Sequence, residues 1–115
     1  MAQSKGEIKL IKAARLIDGK GGPPLERSAI MLQGDVIVAV GTEESVVPPE
    51  GADVEEIDYE DKTVLPGLVD CHVHLIGMGD GRAGDELTLL PDEVLTLQAA
   101  RNARAHLYSG VTTVR

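Results

Sequence analysis

Two histidines separated by a single residue are the side chains here that could do chemistry. His72 and His74 follow an aspartate, Asp70, and the apolar residues from Leu68 to Ile76 predict a short buried strand. Side chains alternate along a strand, so Asp70, His72 and His74 are expected on one face and Cys71 on the other. Two neighbouring imidazoles with neutral ring nitrogens make half of a metal site.

The spacing alone leaves a structural alternative open, in which both histidines are hydrogen-bonded within a buried strand. Two ligands are too few for a catalytic zinc ion, which takes three protein ligands and a water molecule. Asp70 is expected to support a ligand through a hydrogen bond rather than to bind the metal itself. Cys71 is predicted to be a packed core cysteine, because its face points away from any base that could activate it.

The sequence around the histidines resembles the metal motif of the amidohydrolase superfamily, which lies at the end of the first barrel strand. The motif reads Pro-Gly-Leu-Val-Asp-Cys-His-Val-His-Leu over residues 66–75. Residues 110–115 resemble the second-strand signature of the superfamily, and residues 13–19 and 38–41 resemble its N-terminal β segments. The resemblance covers nearly the whole chain in the right order. It is closest to the imidazolonepropionase-like and Xaa-Pro-dipeptidase-like branch.

This resemblance implies a fold in two domains. Residues 1–65 would be the N-terminal part of a composite β-sandwich, and residues 66–115 would begin a (β/α)8 TIM barrel with its first β-α-β unit. A complete barrel needs about 200 residues or more, and the chain has 115. We therefore expect an incomplete barrel, whose C-terminal remainder is a missing partner, either downstream in a longer enzyme or as a separately supplied piece.

The resemblance also implies a function for the complete protein. It would be a metal-dependent amidohydrolase that acts on carbon–nitrogen bonds, often cyclic, in small-molecule amides or in dipeptides. His72 and His74 would be ligands of a divalent metal, with zinc as the expected ion and one or two ions bound. No catalytic residue is assigned within this chain, which is expected to be inactive alone. The alternative is a non-catalytic β module with a structural or metal-binding His-X-His.

Arg115 follows the predicted second strand directly and could reach the substrate side of the site. A solvated or structural arginine explains the residue equally well. His106 borders alanines and a leucine, so it is predicted to be packed or half-exposed rather than part of a site.

Composition excludes several classes of function. The net charge of −8 disfavours nucleic-acid binding, because an acidic surface repels phosphate backbones. The chain has no tryptophan or phenylalanine to stack on bases. No apolar run reaches the roughly 18 residues that a membrane span needs, and a single cysteine cannot form an internal disulfide. The cytoplasm is the expected location.

The elements that must position the histidines can be read from periodicity and turn residues. Apolar alternation and glycine-containing turns predict a group of short, mostly antiparallel strands before Pro66. These strands are Glu7–Ala14, Ser28–Leu32, Val36–Val40, Val54–Tyr59 and Thr63–Leu65, with a hairpin turn at residues 33–35.

A helix is predicted between Pro91 and Gly110, followed by a strand at Val111–Val114 that runs parallel to the histidine strand. One side of the helix is predicted to carry Ala99, Ala100, Ala103 and Leu107, with Leu95 and His106 at its edge. Residues 77–84 form a glycine-rich loop, which the resemblance places on the active-site face. Its Gly-X-Gly-X-X-Gly pattern does not indicate a dinucleotide site, because no helix opens within it.

Overall fold

The computed structural model describes residues 7–81, 84 and 89–115. The chain divides into two compact units, Met1–Pro66 and Gly67–Arg115. Each unit is a separate arrangement of secondary structure. The assignment of residues 1–65 to a sandwich and of residues 66–115 to a barrel stays a prediction.

The first unit is a five-stranded sheet. Its strands are β1 (Ile8–Leu16), β2 (Leu25–Gln33), β3 (Val36–Thr42), β4 (Val54–Asp58) and β5 (Thr63–Val64). The order is β3-β2-β1-β4, and β5 also pairs with β1. All five predicted strands are present. The predicted hairpin joins β2 to β3, and Gly34 lies in its turn with a φ of 62° that favours glycine.

The pairing of these strands differs from the prediction of a mostly antiparallel group. β1 and β3 are each antiparallel to β2, but β4 and β5 both run parallel to β1. The connection from β3 to β4 is long enough for the chain to cross to the other side of β1, whereas a tight turn joins neighbouring antiparallel strands. β5 continues along the same edge of β1 after a short turn, so it keeps the direction of β4. Alternation of apolar residues reports which face a side chain takes and carries no information about strand direction.

One cluster of core residues in the first unit lies on one face of this sheet. Leu10, Ala29 and Val46 are buried together, and Val46 comes from the connection that follows β3. That connection packs closely on the strand, because a Cβ atom at Gly41 would lie 2.3 Å from the Ser45 hydroxyl oxygen. The connection therefore covers the face of the sheet that carries Leu10 and Ala29.

Hydrogen bonds and ion pairs add to this packing. The buried Ser28 hydroxyl donates to the Ala13 carbonyl at 3.1 Å. Lys9 pairs with Glu55 across β1 and β4. A hydrogen bond from the Lys9 amine to Glu55 raises the pKa of that amine above its usual value. This pair is exposed at the sheet surface, so it stabilises the fold only slightly.

The second unit contains β6 (Leu68–Asp70), α1 (Asp92–Tyr108) and β7 (Val111–Val114). β6 and β7 are parallel, as predicted. The prediction of a buried strand from Leu68 to Ile76 is wrong in length and in burial. β6 ends at Asp70, and Leu68 and Val69 are 51% and 62% exposed. Within the described part of the chain β6 pairs only with β7, and a parallel strand needs cover on both faces to be buried.

The helix has the predicted bounds, since it begins directly after Pro91 and ends just before Gly110, whose φ is 89°. Its inward side overlaps the predicted apolar side only in part. The half-buried residues are Leu95, Gln98, Ala99, Asn102 and His106, whereas Ala100, Ala103 and Leu107 are exposed. The helix has no fully buried residue. On its half-buried side, Gln98 and Asn102 bind the turn after the histidines.

In the glycine-rich loop, Gly79 and Gly81 both have positive φ angles. The rest of that prediction falls partly on residues 82, 83 and 85–88, which lie outside the described residues. No helix among the described residues combines the length and the apolar character that crossing a membrane requires.

Candidate metal centre

The two histidines lie just beyond the end of β6. The Asp70 carboxylate accepts a hydrogen bond from the backbone N–H of His72 at 3.0 Å. An aspartate that binds the N–H two residues later forms a turn that competes with the strand, and this turn ends β6. A second turn follows, in which the Gly77 N–H donates to the His74 carbonyl at 2.8 Å. The alternation predicted for a continuous strand therefore does not position the imidazoles.

The imidazoles nevertheless converge. Their Nε2 atoms are 3.0 Å apart, and the ring centroids are 5.0 Å apart with the planes inclined by 52°. Two imidazole nitrogens bound to one tetrahedral zinc ion at about 2.0–2.1 Å would be separated by roughly 3.3 Å. The donor set and its spacing fit one divalent ion held between the rings. The same distance also suits an N–H···N hydrogen bond between the two rings.

The described part of the chain supplies these two nitrogens and no larger ligand set. No group of three or more histidine, cysteine, aspartate or glutamate side chains within residues 7–81, 84 and 89–115 could hold a metal ion. Two nitrogens are fewer than the three protein ligands that a catalytic zinc ion takes.

Asp70 lies next to the pair but supports its backbone rather than a ring. One carboxylate oxygen accepts from the His72 N–H, and the other lies 3.9 Å from His106 Nε2. His106 Nδ1 lies 2.9 Å from the Asn102 carbonyl, which only a protonated Nδ1 can bond. His106 is half-buried, as the sequence predicts, and the structure adds its position opposite Asp70.

Arg115 contributes its backbone to this arrangement. Its N–H donates to the Asp70 carbonyl at 3.0 Å, and its carbonyl accepts from the Val73 N–H at 3.2 Å. Its side chain is exposed. The proposed contact of that side chain with substrate stays a prediction.

Cys71 is exposed, so the prediction of a packed core cysteine is wrong. The prediction assumed a continuous strand with a covered opposite face. Because β6 ends at Asp70, Cys71 lies in the bend between strand and turn, where no second layer covers it.

Two residues that sequence reasoning missed, Gln98 and Asn102, bind the turn after the histidines from α1. Asn102 donates to the carbonyls of Leu75 and Gly77, and Gln98 donates to the carbonyl of Ile76. A signal was present in the sequence, since Leu95, Gln98, Asn102 and His106 recur at helical spacing. Polar residues on an inner helix side indicate specific hydrogen bonds.

A groove of about 640 Å³ lies within the first unit, lined by residues of β1, β2 and β3 and by residues 49–53. Ile8, Met31 and Val38 contribute apolar walls, and Glu7, Glu50 and Asp53 contribute carboxylates. No histidine lines it. The candidate metal centre is therefore not part of this groove.

Comparison with known proteins gives a consistent set of relatives, although no family model matches the chain. Over 118 aligned residues the chain is 30% identical to the imidazolonepropionase of Mesorhizobium japonicum. The match covers 99% of this chain and 28% of that enzyme. The chain thus spans little more than a quarter of the length of this relative.

Solved structures of related enzymes are similar to this chain as well. The ochratoxinase of A. niger superposes with a TM-score of 0.79 at 25% identity, covering 97% of this chain and 26% of that one. A Xaa-Pro dipeptidase crystallised with methionine in its active site gives a TM-score of 0.73 at 32% identity, covering 95% and 26% of the two chains. A protein described as an amidohydrolase gives a TM-score of 0.75 at 30% identity.

Proposed function

Because the chain belongs to the amidohydrolase superfamily, as an imidazolonepropionase-like N-terminal part, we propose that the complete protein is a metal-dependent hydrolase of carbon–nitrogen bonds. Its substrates would be small molecules, either amides that are often cyclic or dipeptides. The names of the relatives support this range, since they include an imidazolonepropionase and a Xaa-Pro dipeptidase.

One observation carries the metal assignment, namely the 3.0 Å separation of the His72 and His74 Nε2 atoms. We assign both histidines as ligands of a divalent metal, with zinc as the proposed ion and one or two ions bound. When bound, such an ion supplies polarisation of the scissile carbonyl and hydroxide near neutral pH. The chain's own contribution is to hold two neutral imidazoles together and to fix their backbone through Asp70.

The remaining ligands and the general acid or base would come from residues beyond this chain. The parallel pair of β6 and β7, connected through α1, supports the proposal that the second unit begins a TIM barrel. The first unit would be the N-terminal portion of a β-sandwich, and the missing partner would be the C-terminal barrel remainder. We propose the cytoplasm as the location, since a lone cysteine fits a reducing compartment.

A second candidate function deserves a test because the same interatomic distance supports it. In that case one imidazole donates to the other, and the chain is a small β module whose His-X-His is structural. The two candidates differ in what removal of the histidines does to bound metal.

The test uses the complete protein with His72 and His74 both replaced by alanine. We expect bound divalent metal to fall by most of its wild-type amount, because two of its ligands are lost. Turnover of a panel of cyclic amides and Xaa-Pro dipeptides should fall with it. Elemental analysis measures the metal, and circular dichroism checks that the fold is kept.

Cys71→Ser is the matched control, since it changes the exposed residue beside the pair without removing an imidazole. It should keep the wild-type metal content. Metal content that is unchanged in the double alanine variant would contradict the ligand assignment and favour the structural alternative.

A further inference from the structure

Three consecutive backbone carbonyls after the histidines accept hydrogen bonds from one helix. Asn102 Nδ2 donates to the carbonyl oxygen of Leu75 at 2.6 Å and to that of Gly77 at 2.8 Å. Gln98 Nε2 donates to the carbonyl oxygen of Ile76 between them. We refer to the side chains of Gln98 and Asn102 as the amide clamp.

The residue types at these two positions are unusual for an inward-facing helix side. Gln98 and Asn102 are four residues apart and so lie on the same side of α1, which is its half-buried side. An amphipathic helix ordinarily places apolar side chains there. A partly buried amide needs hydrogen-bond partners, and the turn carbonyls supply them.

The same hydrogen bonds also supply partners for the backbone carbonyls of the turn. Residues 75–77 lie beyond the end of β6, so no strand ladder satisfies their carbonyls. The clamp satisfies all three, and the Gly77 N–H closes the turn on the His74 carbonyl. A short irregular segment is thereby fixed to a regular helix of 17 residues.

The histidine segment is held on both of its sides by this arrangement. At its start, the Asp70 carboxylate accepts a hydrogen bond from the His72 N–H, and the Arg115 carbonyl accepts one from the Val73 N–H. After it, Asn102 holds the carbonyl of Leu75. Between the Val73 N–H and the Leu75 carbonyl lie only the rest of Val73, His74, and the N–H and Cα of Leu75. The separation of the two imidazoles therefore depends on where the clamp holds the turn.

We propose that the amide clamp sets the separation of His72 and His74 and thereby determines the affinity of this pair for metal. The proposal rests on the proposed function, because it takes both histidines as metal ligands. Asn102 makes two of the three clamp bonds and is the main positioning residue, with Gln98 second. Neither residue touches the metal.

The experiment uses the complete protein, freed of its own metal, in a Cys71→Ser background, which removes the exposed thiol next to the pair. Cu²⁺ is the probe, because nitrogen sites bind it more tightly than the other divalent first-row ions. Titration gives its Kd. Electron paramagnetic resonance reports how many imidazole nitrogens bind it, which a general loss of stability at constant helix content would not change.

Asn102→Asp is the decisive variant, because it keeps the shape of the side chain and replaces its donors with acceptors. We expect the Kd for Cu²⁺ to rise by at least about tenfold, and the two-nitrogen signal to be lost. Ala103→Asp is the matched control, since it adds the same charge at the exposed neighbouring position. Added negative charge alone would tighten Cu²⁺ binding, so weaker binding by Asn102→Asp cannot come from charge.

A second measurement, made without metal, accompanies the titration. Hydrogen exchange of the Val73 and Gly77 amides should be faster in Asn102→Asp than in Ala103→Asp, because the turn is released. If Asn102→Asp lowers the helix content, Gln98→Glu removes one clamp bond and is used in its place, with a smaller rise in Kd expected.

The outcomes separate the two proposals. If replacing both histidines by alanine leaves Cu²⁺ binding unchanged, the metal site fails, and the role of the clamp fails with it. If that replacement abolishes binding but Asn102→Asp, or Gln98→Glu in its place, binds Cu²⁺ as Ala103→Asp does, the metal site stands and the clamp inference is overturned.

Discussion

Leu10 in the first unit and Leu97 in the second are both leucines within regular secondary structure, but their surroundings differ. Leu10 lies in β1 and is 5% exposed, whereas Leu97 lies in α1 and is 73% exposed. β1 has strands on both sides and a connection packed over one face. Among the described residues, every fully buried one belongs to the first unit. The first unit has a core of its own, whereas the described residues of the second unit form none.

The second unit is held by polar contacts in place of a core. The amide clamp joins α1 to the turn, and the backbone of Arg115 joins β7 to the end of β6. Its large apolar side chains, such as Leu68, Val69 and Leu107, are exposed. We propose that the rest of the barrel covers these side chains in the complete protein. The unit that carries the candidate metal pair is then the one that depends most on residues beyond it.

The largest expected effect comes from truncating a leucine on each side of this comparison. Leu10→Ala should lower the free energy of unfolding of the sheet by about 2–5 kcal/mol, because it leaves a cavity in a packed core. Leu97→Ala should change it by less than about 0.5 kcal/mol, since the side chain is exposed. Urea unfolding followed by circular dichroism measures both. Equal losses would contradict the contrast between the units.

Hydrogen exchange tests the same contrast without a mutation. We expect amides in β1 and β2 to exchange at least about 100-fold more slowly than the hydrogen-bonded amides of Leu68 and Arg115, because the latter lie in a unit with no buried residue in its described part. Mass spectrometry of peptides from each unit gives the rates. Similar protection in both units would mean that the second unit is stable by itself.

A smaller effect is expected from removing a hydroxyl that donates to a backbone carbonyl in each unit. Ser28→Ala should cost about 1 kcal/mol, because the buried Ala13 carbonyl loses its Ser28 donor. Ser109→Ala removes a bond of the same type to the Ala105 carbonyl at an exposed position, so a change near zero is expected. Chemical unfolding measures the free energy of unfolding of both variants. A larger loss for Ser109→Ala would reverse the comparison.

The smallest effect is expected at Cys71. Cys71→Ser should alter the free energy of unfolding by less than about 0.5 kcal/mol, because the side chain is exposed. The thiol of the native chain should react fully with a thiol reagent without denaturant. A slow reaction that accelerates on unfolding would show that the cysteine is packed after all.

Local sequence signals predicted the elements of both units. Alternation and turn residues located β1 to β5, the hairpin at Gly34 and both ends of α1, because these features depend on neighbouring residues. The converging histidines were also predicted, but from a continuous strand that the structure does not contain. The Asp70 side chain ends that strand by binding the His72 N–H, a local contact that strand periodicity does not reveal.

The sequence by itself determined the five strands of the first unit, the helix bounds and the chemical identity of the candidate metal pair. Only the tertiary structure decided that β4 and β5 run parallel to β1, which side of α1 faces inward, and how far apart His72 and His74 lie. Each of these depends on contacts between residues distant in the chain, such as Asn102 with Leu75. Residue type and periodicity limit which groups can pair, but packing and hydrogen-bond satisfaction across the folded chain select the partner.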